Sequence, residues 1–250
     1  MEEGIKITKP TNDTKSEQLA NGIMICVGSY NDFGPIGRNA LSEQFSEQLE
    51  NVHNVNFYDS PDILKKKNFL GEQLRWTIST VDNFNKFSEK LLDCTALVVV
   101  GKDKTTGENI SFISHQNPFE ILNDKIGRKF NIDLKKRLTE IKERCKAGSI
   151  SATIVAGKYP KKNMASPFAT VEEMRKDYLD SIELISNEIE LTLELKPTIF
   201  NGPKFVRNYD NIYFDNEKMR LYLMRPEVNF NIESFSISDI DKEKKKWDKD

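Results

Sequence analysis

Two predicted strands within residues 95–115 limit the folds open to this chain. Residues 95–101 read Thr-Ala-Leu-Val-Val-Val-Gly, an apolar and β-branched run that is typical of a buried strand. Residues 110–115 read Ile-Ser-Phe-Ile-Ser-His and alternate apolar with polar side chains, as a strand with two different faces does. The polar segment 102–107 ends in glycine and suits a connecting loop. The sequence therefore predicts an antiparallel β-hairpin near the middle of the chain.

Cys94 and His115 stand at the two open ends of this hairpin. A turn centred between residues 104 and 105 would place them directly opposite each other, with Cβ atoms roughly 4.5–5.5 Å apart. A neighbouring imidazolium lowers the pKa of a thiol and favours the thiolate, which is the nucleophilic form. We therefore predict a thiol–imidazole pair in which Cys94 is the nucleophile and His115 is the base.

A catalytic imidazole needs a third group that holds the ring in its working tautomer. Ser88 is the first candidate, because a helix predicted over residues 80–92 points this side chain towards the junction before Cys94. The other candidates lie on or beside the second strand: Ser111, Ser114 and Gln116. The backbone N–H groups of Cys94 and Thr95 are predicted to bind an oxyanion that develops during the reaction.

The rest of the chain predicts an α/β protein of the α+β type, with a mixed central sheet flanked by helices in a single domain. Further strands are expected at residues 22–27, 55–58 and 150–156, a second hairpin at 211–224, and helices at 40–49, 62–75, 80–92, 134–145 and 171–189. Thr170 and Glu173 form a capping-box pattern before the last helix. Residues 1–20 are expected to be a disordered arm, 21–240 the domain, and 241–250 a charged tail.

Charge and composition exclude several classes of protein. The chain has 37 basic and 39 acidic residues and a formal net charge of -2, which argues against a general nucleic-acid binder. It has no run of 18 apolar residues that could cross a membrane, and its first residues lack the pattern of a signal peptide. Three scattered cysteines form no disulfide framework. A cytoplasmic protein without a nucleic-acid or membrane partner is therefore expected.

The segment 92–118 resembles the Cys-strand-loop-strand-His unit of the CheD-like and cytotoxic-necrotizing-factor-like superfamily. In the glutamine deamidases of this superfamily, the cysteine attacks the side-chain amide of a protein glutamine and the histidine acts as base. The resemblance therefore implies that Cys94 and His115 have these roles here, with no cofactor. Some members use a threonine six positions before the cysteine, and this position is Ser88 here.

Two alternatives remain open from the sequence. The superfamily also includes the laccase-domain (YfiH-type) purine nucleoside enzymes, and both Asp93-Cys94 and the placement of His53 are similar to that group. This similarity implies a zinc ion held by His53, Cys94 and His115, the ligand number that catalytic zinc prefers. The other alternative is a non-catalytic binding or regulatory domain of the same fold, with aromatic and arginine side chains of region 205–225 as its partner surface.

Overall fold

A computed structural model describes residues 16–20, 22–34, 36–37, 52–55, 76–91, 94–157, 170–200, 210–225 and 234–235. These residues form two six-stranded mixed sheets and three helices. The α+β class predicted from the sequence is therefore confirmed. The strands form two sheets, whereas a single central sheet was expected.

The first sheet is built from both halves of the chain. Its spatial order is β1 (Ser16–Ala20), β2 (Ile23–Ser29), β11 (Arg220–Arg225), β10 (Asp210–Asp215), β5 (Asn85–Leu91) and β3 (Val52–Asn54). The β2–β11 and β3–β5 pairs are parallel, and the others are antiparallel. The hairpin predicted at residues 211–224 is the β10–β11 pair.

The second sheet contains the central hairpin. Its spatial order is β12 (Ser234–Phe235), β9 (Thr198–Phe200), β8 (Ser151–Ala156), β6 (Thr95–Lys102), β7 (Asn109–Gln116) and β4 (Trp76–Ile78). Strands β6 and β7 are antiparallel neighbours, as the sequence predicts.

Strand β6 lies between two cores. Ala96, Val98 and Val100 pack among side chains of the first sheet, such as Ile212 and Leu223. Its alternate residues, Leu97 and Val99, pack instead against the helices on the other side. The molecule therefore has three layers, in the order first sheet, second sheet and helices. Burial on both faces explains why this strand is apolar at almost every position.

The helical layer consists of α1 (Pro118–Ile121), α2 (Asp124–Arg144) and α3 (Val171–Leu193). Helix α2 presents the predicted stripe of Leu134, Leu138 and Ile141 to the second sheet. Helix α3 begins with the predicted capping box: Thr170 accepts a hydrogen bond from the Glu173 N–H, and the Glu173 carboxylate accepts one from the Thr170 N–H.

Three local predictions differ from the structure. The helix predicted over residues 80–92 is a loop followed by strand β5, because β10 and β3 supply backbone partners on both sides of it. Residues 16–20 of the predicted arm form strand β1, which pairs with β2. Strand β3 ends at Asn54, before the strand predicted at 55–58, and Val55, the one described residue of that prediction, is not in a strand. His53 lies within β3.

Several predictions concern segments outside the described residues. These are the helices at 40–49 and 62–75, residues 56–58 of the strand predicted at 55–58, residues 1–15 of the arm, and the tail at 241–250.

Candidate functional site

Cys94 and His115 lie on the same face of the second sheet, but they are not directly opposite each other. His115 is paired with Ala96, so the hairpin is centred between residues 105 and 106 and the predicted register is wrong by two residues. Cys94 shares its core cluster with Ala96 and Val98, which face the first sheet. It is therefore a diagonal neighbour of His115. Such neighbours are roughly 7–8 Å apart, with a somewhat smaller Cβ separation.

The loop of the hairpin explains this register. Asp103 accepts hydrogen bonds from the N–H groups of Thr105 and Thr106, at 2.7 and 3.2 Å. The N–H of Gly107 donates to the Asp103 carbonyl at 3.0 Å, and Gly107 has a φ of 75°. Glycine adopts this left-handed conformation without a steric penalty. The loop is therefore closed around Asp103, and the strands pair as its geometry requires.

The imidazole of His115 is completely buried between the two sheets. Burial lowers the pKa of His115 from 6.5 to about 3, and a hydrogen bond with the Val55 carbonyl only partly opposes this shift. The ring is therefore neutral near pH 7. A neutral imidazole has one donor and one acceptor nitrogen, and its surroundings decide which is which.

Ser88 contacts the His115 ring and identifies its tautomer. The Ser88 Oγ lies 2.8 Å from His115 Nδ1 and donates its hydrogen to the Val55 carbonyl at 2.7 Å. Because a hydroxyl has a single hydrogen, the bond between Ser88 and His115 requires a proton on Nδ1. The Val55 carbonyl, which can only accept, also takes part in a hydrogen bond with the ring. Nε2 is therefore the acceptor atom of the ring.

The other candidates for the third group are placed differently. Ser111 shares the His115 face of β7 but is paired with Val100, four residues nearer the loop. Ser114 and Gln116 project from the opposite face, towards the helices. There Gln116 Nε2 donates to the Thr95 hydroxyl at 2.9 Å. Of the four candidates, Ser88 is the one that the structure brings to the ring.

Sequence reasoning missed the Val55 carbonyl and a buried ion pair. Every residue has a backbone carbonyl, so the sequence contains no signal for this one. The ion pair includes Asp210, which is the register partner of Leu91 on the neighbouring strand β5, close to Cys94 in the chain. Asp210 accepts hydrogen bonds from Arg225 at 2.8 and 3.3 Å, and both side chains are almost completely buried.

The three cysteines differ in their exposure. Cys94 is 8% exposed, whereas Cys26 and Cys145 are each 1% exposed. Burial, together with the charge of Asp103, raises the pKa of Cys145 to about 11, which keeps this thiol protonated. None of the three forms a disulfide. Cys94 is therefore the least buried of the three cysteine residues.

His53 belongs to a separate cluster on β3. Its Nε2 lies 3.0 Å from Asp82 Oδ2, and its ring packs on Phe84 with centroids 5.1 Å apart. Within the described part of the chain, no three His, Cys, Asp or Glu side chains are grouped so that they could hold a metal ion. The zinc set of His53, Cys94 and His115 is therefore not assembled here.

The chain matches no protein-family model and no curated protein. Across the described ranges, no helix is both long enough and apolar enough to cross a membrane. The resemblance to the CheD-like superfamily is confined to the sequence of residues 92–118.

Proposed function

We propose that this protein is a cysteine amidohydrolase of CheD-like type, which hydrolyses the side-chain amide of a protein glutamine or a similar carboxamide. One observation carries this proposal. The His115 ring is held by Ser88 and the Val55 carbonyl in the tautomer whose Nε2 accepts a proton, on the sheet face that also carries Cys94. A thiol and an oriented imidazole are the groups that nucleophilic acyl transfer requires.

In the proposed reaction, the Cys94 thiol gives its proton to His115 Nε2 while the sulfur attacks the carboxamide carbon. The Cys94 and Thr95 N–H groups hold the resulting oxyanion. The C–N bond then breaks, and the amide nitrogen takes the proton from His115 and leaves as ammonia. Water attacks the thioester, loses a proton to His115, and releases the carboxylic acid. That proton returns to Cys94, so the enzyme ends in its starting state.

The low pKa of His115 determines the order of these events. An imidazole with a pKa of about 3 does not form an ion pair with a thiol in the resting protein near pH 7. Proton transfer must therefore accompany the attack on the substrate. The proposal accordingly predicts that an alkylating reagent modifies Cys94 more slowly than it would modify a cysteine that is already a thiolate. It should still modify Cys94 faster than Cys26 and Cys145.

Two measurements test the proposal. Iodoacetamide applied to the folded protein near pH 7 should modify Cys94 before Cys26 and Cys145. Ammonia release from a glutamine-containing protein should fall by roughly a thousandfold or more in Cys94→Ala, because the nucleophile is removed. Cys26→Ala is the matched control and should keep its activity. Preferential modification of Cys26 or Cys145 would contradict the proposal.

The burial of the site favours a second candidate, a non-catalytic binding or regulatory domain. His115 is inaccessible to solvent and Cys94 nearly so, which is what a structural histidine and cysteine would show. In region 205–225, Tyr222 is only partly buried and could contribute to a contact surface, beside the buried Tyr213, whose ring centroid lies 6.1 Å away. This candidate predicts that Cys94 reacts as slowly as Cys145 and that no ammonia is released.

The proposal also includes a cytoplasmic location and no resident cofactor. Three thiols that form no disulfide are consistent with a reducing compartment. The zinc-dependent nucleoside enzyme is not proposed, because its three ligands are not grouped in the structure.

A further inference from the structure

Strand β3 carries the Val55 carbonyl to His115 but has little backbone support. It has three residues and lies at the edge of the first sheet, where it pairs with β5. The Val55 N–H donates to the Phe87 carbonyl at 2.7 Å, just beyond the strand. Short edge segments with few backbone hydrogen bonds open locally more readily than central strands. Side-chain contacts are therefore needed to keep Val55 in place.

Two side chains on the same face of β5 lie beside the two ends of the segment 53–55. Lys86 is the register partner of His53, and Ser88 bonds the Val55 carbonyl. Both side chains are completely buried. At one end Lys86 binds Asp82, which lies 3.0 Å from His53. At the other end Ser88 and the Val55 carbonyl meet the His115 ring.

Asp82 is held from several directions. Its Oδ1 accepts hydrogen bonds from Lys86 Nζ at 2.8 Å and from the Phe84 N–H at 3.0 Å, and its Oδ2 accepts one from the Thr80 hydroxyl. Burial alone would raise the pKa of Asp82, but the hydrogen bonds from Lys86 and Thr80 lower it below its ordinary value. The Asp82 carboxylate is therefore charged and held in a fixed position beside His53.

We propose that Asp82 and His53 are positioning residues that hold β3, and through it the Val55 carbonyl, against the His115 ring. The contact between their side chains joins β3 to the loop before β5, two residues from Val55. Loss of this contact would let Val55 move and would loosen control of the imidazole tautomer. For the reaction itself, this inference rests on the proposed function.

The test uses His53→Phe and Asp82→Asn in the full chain. His53→Phe keeps an aromatic ring on Phe84 but removes the nitrogen near Asp82. We expect amide hydrogen exchange at Val55 to become roughly fivefold faster in either variant, the effect of losing one partly exposed contact of this kind. The ¹⁵N resonances of His115 should move towards a mixture of tautomers. The double variant should add little to the larger single effect, because both changes remove the same contact.

Glu173→Gln is the matched control, since the Glu173 carboxylate, like that of Asp82, accepts hydrogen bonds from a backbone N–H and a threonine hydroxyl, here those of Thr170 at 2.7 and 2.9 Å. It should lower stability without changing Val55 exchange or the His115 resonances. The inference is overturned if His53→Phe and Asp82→Asn behave like this control. His53 is partly exposed, so His53→Phe remains informative even if Asp82→Asn fails to fold.

The readouts at Val55 and His115 separate this inference from the proposed function. If the wild-type protein releases no ammonia but both variants change the His115 resonances, the positioning role is supported and the amidohydrolase is rejected. If ammonia is released, kcat should fall in both variants with little change in KM, since the variants affect the base and leave substrate binding intact. Unchanged His115 resonances reject the positioning role whatever the activity.

Discussion

Asp103 shows how one side chain sets the geometry of the candidate site. Its carboxylate binds the N–H groups of Thr105 and Thr106 and closes the loop of the central hairpin. That loop places Ala96 opposite His115 and moves Cys94 to the diagonal position. The polar composition of residues 102–107 predicted a loop, but it did not identify the residue that would close it. A shift of two residues kept Cys94 and His115 on the same face, because side chains alternate with a period of two.

The buried imidazole of His115 predicts a specific dependence of stability on pH. The unfolded chain binds a proton on this ring below about pH 6.5, whereas the folded protein does so only near pH 3. The unfolded state therefore binds more protons between these values, and the free energy of unfolding falls as the pH is lowered. We expect His115 to account for a loss of about 2 kcal/mol between pH 7 and pH 5.

Urea unfolding of the wild type and of His115→Gln at both pH values measures this contribution. The variant lacks the titrating ring, so its stability should depend less on pH by that amount, whatever its stability at pH 7. His53 is present in both proteins and cancels in the comparison. Equal pH dependence in the two proteins would show that His115 is protonated with similar ease in the folded and unfolded states.

Strand β5 and helix α3 differ in how far local sequence determines an element. Residues 80–92 contain apolar residues at helical spacing, but strand partners on both sides make residues 85–91 a strand. Lys86 and Ser88 consequently face the buried space between the sheets. A sequence pattern would not predict polar side chains in such a position. Helix α3 follows its pattern from the capping box to its buried stripe, because a cap and a period of 3.6 are local properties.

The cap of α3 predicts a stability change that can be measured directly. Thr170→Ala removes the side-chain acceptor for the Glu173 N–H and should lower the free energy of unfolding by about 1 kcal/mol. Thr170→Ser keeps a hydroxyl at this position and should change the free energy of unfolding by only a few tenths of a kcal/mol. Urea unfolding monitored by circular dichroism gives both values. An equal loss in the two variants would mean that the methyl group, and not the hydroxyl, supports the helix.

The stacking of two sheets gives the molecule two different ends. The end that includes Cys94 also contains the buried Asp210–Arg225 pair. At the opposite end, Asn216 in the β10–β11 turn of the first sheet donates to the carbonyl of Asn109, which begins β7 of the second sheet. It also donates to the Asn83 carbonyl at 3.1 Å. Asn216 is 2% exposed, so it joins the two sheets in a largely water-free setting.

We therefore expect Asn216→Ala to lower the free energy of unfolding by about 1–3 kcal/mol, because two partly buried hydrogen bonds are lost, each worth about 0.5–1.5 kcal/mol. Lys218→Ala in the same turn is the control, since Lys218 is 62% exposed and its loss should cost less than about 0.5 kcal/mol. Chemical unfolding of both variants decides between these values. Similar small effects would show that the sheets are held together by apolar packing alone at this end.

Local patterns were sufficient to predict the central hairpin, the capped helix α3 and the α+β class, and they drew attention to Cys94 and His115, whereas the helix that pointed to Ser88 was wrong. Each of these depends on residue type and spacing along a short stretch of chain. The strand state of β5, the register around Asp103, and the meeting of Ser88, Val55 and His115 depend on contacts between distant segments. Spacing along the chain does not encode which distant backbone will pair with a strand. Packing of the two sheets selects that partner, because it buries the most apolar surface while leaving the fewest hydrogen-bonding groups unsatisfied.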